Sequence, residues 1–232
     1  MSTKPENLTK LEAKLKIKFR EIKLLKTAFI HRSYLNEHKE FKSTSNERLE
    51  FLGDSVLSLI VANHLYEHLP KSSEGELTQL RAALVRTETL SKIAIKLELG
   101  KYLYLSRGEE DSAGRANKTI LADTFEALVG AIFLDQDPET TRKFIEKTIL
   151  GNWQELAKSA VVDNKSKLQE KLQRKFHQSP TYRMISSWGP DHARNFEVGV
   201  FLENEELGRG TGPNKQNAAQ NAAADALSRL KS

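Results

Sequence analysis

Apolar residues recur every three to four positions along the first two thirds of the chain. This spacing is typical of helices that bury one face, and it is clearest in LSLIVANHLYEHL, LTQLRAALVRTETLSKIAIKLEL and TILADTFEALVGAIFL. Residues that break helices separate these segments, among them Pro70, Gly100 and Pro138. We find no alternating strand pattern in this part of the sequence, which therefore predicts an all-α domain over residues 1–154.

The pattern changes near residue 160. KSKLQEKLQRKF predicts a short amphipathic helix with Leu168, Leu172 and Phe176 on one stripe. TYRMISSW, NFEVGVFLEN and EELGRGTG then predict three strands, and the alanine-rich NKQNAAQNAAADALSRL predicts a closing helix. The order α-β-β-β-α suits a small α+β domain over residues 164–232, joined to the first domain by a short linker at 155–163.

The amino-acid composition excludes several classes of functional site and indicates a class of partner. The 232 residues include no cysteine, which excludes a disulfide scaffold, a cysteine-ligated zinc site and a thiol nucleophile. The net charge of +5 is uneven, because residues 164–232 carry 11 of the 36 basic and 7 of the 31 acidic residues, a net +4. A compact basic domain favours a polyanionic partner. We find neither a signal peptide nor a run of about 20 apolar residues, so we expect no membrane span.

Two apolar helices each carry a short acidic stripe. In NERLEFLGDSVLSL, the residues Glu47, Glu50 and Asp54 are spaced by three and four, which places them on one helical face. Asp123 and Glu126 are three apart in ADTFEALVGAIFLD. Crowded carboxylates either retain protons or bind a cation, and oxygen ligands alone favour a hard ion such as Mg²⁺ or Mn²⁺.

Structural explanations for single members of these stripes remain open. Glu47 fits a capping box with the residues before it, Glu50 could pair with a nearby cation, and Asp123 near a helix start is favoured by the helix dipole. Gly53 and Gly130 would allow the two helices to approach closely, although the sequence does not show that they meet.

Two other catalytic hypotheses, a serine nucleophile and a histidine general base, have less support from the sequence. Gly53-Asp54-Ser55 is similar to the nucleophile block of GDS-type hydrolases, but there the serine follows a strand, whereas Ser55 lies inside a helical pattern. His31 could act as a general base. A site of four carboxylates does not need one, however, and a histidine is more commonly a core or capping residue.

NERLEFLGDSVL resembles the signature of the ribonuclease III family. The agreement continues through His31-Arg32-Ser33-Tyr34, LTQLRAALVR and ADTFEALVGAIFLD, in the family's order and spacing. The tail resembles the double-stranded-RNA-binding domain that follows the nuclease domain in bacterial members. The likeness covers residues from about 8 to 231.

The resemblance implies a homodimeric, cytoplasmic, Mg²⁺-dependent endonuclease that cuts both strands of duplex RNA and leaves 5′-phosphate and 3′-hydroxyl ends. Mn²⁺ would substitute, and no small-molecule cofactor is expected. Precursors of ribosomal RNA and some messenger RNAs are the expected substrates. Glu50, Asp54, Asp123 and Glu126 stand at the family's metal-binding positions, Asp54 and Glu126 at those usually named catalytic, and Glu47 at a supporting acidic position.

Duplex RNA is recognised through its shape, phosphates and 2′-hydroxyls, and five residues of the tail are candidates for this role. Gln169, Glu170 and Gln173 lie together on the first helix, His192 lies in the loop between the first two strands, and Lys215 opens the last helix. The family usually has two or three consecutive basic residues at that helix start. This chain has a single basic residue there, Lys215, which predicts weaker phosphate binding. Lys171, Arg174 and Lys175 on the first helix could compensate for the missing charges, or they could simply form a solvent-exposed helix face.

Two other functions are compatible with parts of the sequence. A duplex-RNA-binding protein could retain the nuclease fold without activity, but such relatives generally lose acidic ligands, and here every matching acidic position is intact. A metal phosphohydrolase acting on small nucleotides would not need the appended RNA-binding domain.

Overall fold

The structure is a computed structural model that describes residues 5–154, 164–190 and 194–230. The chain forms two compact units, which divide between residues 160 and 161. None of the helices in the described part of the chain is long and apolar enough to cross a membrane.

The first unit is helical, as its hydrophobic periodicity predicts. A single parallel bridge between Ile30 and Tyr104 is its only β pairing within the described residues. Three short 3₁₀ turns lie at Leu99–Tyr102, Gly114–Ala116 and Leu150–Asn152. The nine α-helices described in this unit are α1 Leu8–Leu15, α2 Ile22–Ala28, α3 Arg32–Glu37, α4 Glu47–His68, α5 Glu74–Val85, α6 Thr87–Lys96, α7 Arg107–Asp111, α8 Lys118–Asp135 and α9 Pro138–Thr148.

Helices α4 and α8 form the centre of this unit and cross at two glycines. A Cβ added to Gly53 would lie 1.8 Å from the carbonyl oxygen of Glu126, and one added to Gly130 would lie 2.2 Å from that of Leu49. Only a residue without a side chain permits this approach of two backbones. The two acidic helices therefore meet, and the contact is made beside the acidic residues themselves.

One long helical pattern of the sequence is interrupted in the structure. The segment LTQLRAALVRTETLSKIAIKLEL is divided between α5 and α6 at Arg86, whose backbone is extended (φ −69°, ψ 156°). The break leaves carbonyl groups at the end of α5 without helical partners. The Thr89 hydroxyl donates a hydrogen bond of 2.8 Å to one of them, that of Ala83, so the interruption is stabilised by a side chain that periodicity does not reveal.

The second unit has the predicted α-β-β-β-α order. It consists of α10 Asn164–Phe176, β1 Thr181–Trp188, β2 Asn195–Leu202, β3 Glu205–Gly212 and α11 Lys215–Arg229. The strands form an antiparallel sheet in the order β1-β2-β3. Both helices contribute to its core, in which Leu168 and Leu172 are fully buried. Phe176 was expected on the same buried stripe, but it is 42% exposed because α10 ends there.

Glycines on β3 allow α11 to lie directly on the sheet. Gly208, Gly210 and Gly212 alternate along the strand, and a Cβ on any of them would come within 3.0 Å of the backbone of α11. The alanines opposite them, Ala218, Ala222 and Ala226, recur every four residues and are completely buried. Two residues of a strand and four residues of a helix span about the same length, roughly 6–7 Å. Each glycine of β3 therefore lies opposite one of these alanines of α11.

Candidate active site

The crossing of α4 and α8 brings three of the predicted acidic residues together. Glu50 lies in the first turn of α4, and Asp123 and Glu126 lie in the first half of α8. Carboxylate oxygens of these three half-buried residues all lie within 4.8 Å of one another. No other group of three or more such ligating side chains occurs in the described residues.

The other two predicted acids lie at the edge of this group. Asp54 is exposed and does not belong to the group of three, although its charge acts on both Glu50 and Glu126. Glu47 is also exposed; it accepts a hydrogen bond of 2.7 Å from the Ser45 hydroxyl and lies 3.7 Å from the Arg32 guanidinium. Glu47 begins α4, and the N-cap residue before it makes no side-chain capping bond, so the structure has no capping box here.

Burial raises the pKa of each member of the acidic group, and neighbouring carboxylates raise the pKa of Glu50 and Glu126 further. Burial, followed by the charges of Asp54, Asp123 and Glu50, raises the pKa of Glu126 to about 8. Burial is also the largest cause that raises the pKa of Glu50 and the pKa of Asp123. Carboxylates that are held this close without a cation favour the protonated form. The same oxygens would bind a hard divalent ion, so the residues present fit Mg²⁺ or Mn²⁺.

A cleft of about 590 Å³ opens beside the acidic group. Glu50, Asp123 and Glu47 line it, together with polar residues that are not among the candidate site residues of the sequence, including Asn46, Glu109 and Asn117. Asn46 is the first residue of the NERLEFLGDSVL signature, which could have drawn attention to it. Glu109 lies on the five-residue helix α7, which is too short for a periodicity argument, so only the tertiary structure places it here.

His31 lines the same cleft and caps α3. Its Nδ1 accepts a hydrogen bond of 3.3 Å from the Ser33 backbone N–H and lies 2.8 Å from the Ser33 hydroxyl. Burial is the main cause that lowers the pKa of His31. The capping role expected for this histidine is therefore present, and the ring also faces the acidic site.

The second unit places the three α10 candidates along one groove. Gln169, Glu170 and Gln173 are exposed and line a cavity of about 480 Å³, which Ser166, Arg174 and His177 extend along the same helical face. His177 is thus a further candidate that spacing alone could have indicated, and Arg174, already named as a possible phosphate contact, lies in the same groove. The candidate His192 lies outside the described residues.

Lys215 is exposed at the first position of α11, where Asn214 caps the helix by accepting a hydrogen bond from the Asn217 backbone N–H. Three basic residues on α10 could compensate for the few basic residues at the start of α11. One of them, Lys171, donates a hydrogen bond of 2.9 Å to the carbonyl of Leu230. That bond ties α10 to the end of α11, which gives Lys171 a structural role.

Comparison with known proteins supports the assignment that this geometry suggests. Residues 21–153 match the family model described as Ribonuclease-III-like, and residues 164–230 match the Double-stranded RNA binding motif. The chain is 45% identical over 219 residues to Ribonuclease 3 of Enterococcus faecalis, covering 94% of this chain and 95% of that protein. This chain belongs to the ribonuclease III family. Ribonuclease 3 of Protochlamydia amoebophila is 42% identical over 95% of this chain and 90% of that protein.

Solved structures agree with this membership. The crystal structure of the nuclease domain of ribonuclease III from Campylobacter jejuni is 40% identical and superposes with a TM-score of 0.57, covering 63% of this chain and 96% of that one. The coverage corresponds to the helical unit. As a ribonuclease III with both domains, the chain is a double-stranded-RNA endoribonuclease.

Proposed function

We propose that this ribonuclease III hydrolyses duplex RNA with Mg²⁺ held by Glu50, Asp54, Asp123 and Glu126, and that Mn²⁺ substitutes for it. The products would carry 5′-phosphate and 3′-hydroxyl ends. The observation that carries the proposal is the convergence of three carboxylates within 4.8 Å at a helix crossing, where the pKa of Glu126 is raised to about 8. A cation would relieve the repulsion that raises the pKa of Glu126 and the pKa of Glu50.

Divalent ions held by these carboxylates would supply an activated water and would stabilise the charge that develops on the leaving 3′ oxygen. The protein's contribution is to fix the ligands. Gly53 and Gly130 lock α4 against α8, so Glu50 and Glu126 are held on two rigid helices rather than on loops. Glu126 must release its proton to bind a cation, so binding should release protons near neutral pH. Asp54 is exposed at the edge of the group and is available to complete the ligand set from the solvent side.

Duplex RNA would be bound by the second unit through two surfaces. The polar groove on α10, lined by Gln169, Glu170 and Gln173, offers amides and a carboxylate to 2′-hydroxyl groups of a minor groove. Lys215 at the N-terminus of α11 combines a positive charge with the helix dipole, and both favour phosphate. By the family resemblance, His192 would reach a second minor groove.

A homodimer is proposed from an exposed apolar stripe on α4. Phe51, Leu59 and Tyr66 are 78%, 70% and 73% exposed, and their spacing places them within about 80° of one another around the helix. An exposed apolar surface of this kind marks an interface. The Campylobacter jejuni nuclease domain is described as having a region involved in dimer formation, which supports a second copy of this chain as the partner.

The decisive experiment is a gel assay with labelled duplex RNA, single-stranded RNA and duplex DNA, each with and without Mg²⁺. We expect cleavage only of duplex RNA and only with the ion. Binding of duplex RNA without cleavage would indicate a relative that has lost activity, and hydrolysis of small nucleotides would indicate a different phosphohydrolase.

Replacement of a ligand tests the assignment of the site. Glu126→Gln should lower cleavage by more than about 100-fold, since loss of a residue that merely supports a ligand already costs about 10–100-fold. Duplex binding should be unchanged, because Glu126 lies in the nuclease unit. Glu40→Gln, a change of an exposed glutamate, is the matched control. Undiminished turnover of Glu126→Gln at ordinary Mg²⁺ concentrations would refute the assignment.

Precursors of ribosomal RNA and some messenger RNAs are the substrates we propose, and a cytoplasmic location remains a prediction from the family. The substrates can be tested by sequencing the 5′ ends of RNA that accumulate in cells that carry the Glu126→Gln enzyme, and the location by fractionating those cells and detecting the enzyme in each fraction.

A further inference from the structure

A short chain of hydrogen bonds determines which nitrogen of His31 carries the proton. The Ser106 backbone N–H donates to the Ser33 hydroxyl oxygen at 3.1 Å, so the hydroxyl proton is free to point to His31 Nδ1, 2.8 Å away. The Ser33 backbone N–H also donates to Nδ1, at 3.3 Å. A backbone N–H can only donate, so Nδ1 must be an acceptor, and the ring proton is assigned to Nε2.

The Nε2–H is the polar group that the ring can offer to the acidic cleft. His31 lines this cleft together with Asp123 and Glu109, and each of these carboxylates interacts electrostatically with the ring. Among the described residues, no hydrogen bond to Nε2 is present. The structure thus holds a neutral donor beside a proposed metal ligand, fixed in one tautomer by the cap of α3.

We propose that His31 is a positioning residue whose Nε2–H, when the divalent ion is bound, donates to the carboxylate of Asp123 and so orients that carboxylate for the ion; this inference rests on the proposed metal site. Ligating carboxylates are commonly hydrogen-bonded by an outer partner, which directs one oxygen to the ion. A neutral donor suits this position, because a cationic one would repel the ion that the site must bind. His31 needs no proton transfer for this role.

Two substitutions separate the cap from the donor. Asn places a side-chain oxygen where Nδ1 lies, and Asn is a favoured N-cap residue, so His31→Asn should preserve α3 and remove only the Nε2–H. Gln reaches the position of Nε2 with an amide N–H, so His31→Gln should restore the donor and remove the cap. His68→Asn, at the far end of α4, is the matched control for the same chemical change.

Three quantities should be measured on the full chain: the melting temperature without metal, the dissociation constant of Mn²⁺ from the spin-resonance signal of the free ion, and the Mg²⁺ dependence of cleavage with separate kcat and KM. We expect His31→Asn to keep the melting temperature and the KM for RNA, while Mn²⁺ affinity falls about tenfold, in the range for loss of a ligand's outer partner. His31→Gln should recover most of that affinity and melt at a lower temperature. His68→Asn should match the wild type in Mn²⁺ affinity and cleavage.

Wild-type Mn²⁺ affinity and Mg²⁺ dependence in His31→Asn would overturn the inference and leave the cap as the only role of His31. If His31→Asn weakened RNA binding without metal and left Mn²⁺ binding unchanged, the inference would also be overturned, since the Nε2–H would then donate to a phosphate of the RNA.

Asp123→Asn distinguishes this failure from failure of the proposed metal site. If Asp123→Asn weakens Mn²⁺ binding and His31→Asn does not, only the role of His31 is wrong; if neither weakens it, the metal site itself is wrong.

Discussion

Replacing Glu126 with Gln should stabilise the metal-free protein while it abolishes cleavage. Burial and three neighbouring carboxylates raise the pKa of Glu126 from 4.5 to about 8. Each pKa unit corresponds to 1.36 kcal/mol, so full ionisation in the folded state would cost about 5 kcal/mol. The side chain is only half-buried, and solvent screens part of the repulsion, so we expect about 2 kcal/mol. Gln has nearly the same shape and cannot ionise.

The sign of the pH dependence follows from proton binding. Between pH 4.5 and about 8, the unfolded chain has released the Glu126 proton while the folded chain retains it. A rise in pH therefore favours unfolding across this window. The stability from this group is fully present below pH 4.5 and is lost as the pH passes 8. Glu126→Gln should flatten this part of the profile.

Thermal unfolding of the nuclease unit without metal tests this prediction. At pH 8 we expect Glu126→Gln to melt about 4–8 °C above the wild type, and at pH 4 to melt at the same temperature. Saturating Mg²⁺ should raise the wild-type melting temperature and close the difference, because the ion binds only the folded state. Equal melting temperatures of Glu126→Gln and wild type at pH 8 without metal would refute the argument that carboxylate crowding destabilises this site.

Three further predictions concern packing, RNA binding and assembly. Gly53→Ala should lose about 3 kcal/mol of unfolding free energy in urea, the upper end of the usual cost of overpacking, because its Cβ would overlap a backbone carbonyl. Gly108→Ala, whose Cβ meets nothing within 4 Å, should keep the wild-type stability. Equal stabilities of the two variants would contradict the close crossing. Lys215→Ala should lower the slope of log affinity for duplex RNA against log salt by about 1, and an unchanged slope would show that Lys215 does not meet phosphate. Phe51→Arg should give a monomer by ultracentrifugation, whereas Ile95→Arg, at another exposed apolar position, should leave a dimer; a dimer in both would remove the α4 stripe as the interface.

The order of elements was readable from local sequence because each has a distinct period. Strand β1, Thr181–Trp188, and strand β3, Glu205–Gly212, coincide with the predicted segments, since alternation and bounding glycines are properties of neighbouring residues. The interruption at Arg86 was not readable, because it depends on a hydrogen bond between Thr89 and Ala83 across the break. Helical periodicity on both sides of that residue is compatible with one helix or two.

The sequence by itself determined which residues could do the chemistry: two acidic stripes on apolar helices, a signature that places them in one family, and no cysteine to offer another ligand. Spacing of three or four along a helix fixes which side chains share a face, and that is a local matter. Only the tertiary structure decided that Glu50 meets Asp123 and Glu126, that Asp54 stands at the edge, and that His31 and Glu109 enter the same cleft. Those contacts depend on the crossing of α4 and α8 at Gly53 and Gly130. The two glycines are more than seventy residues apart in the sequence, although their backbones are in contact. A local sequence pattern carries no information about a contact between residues so far apart in the chain.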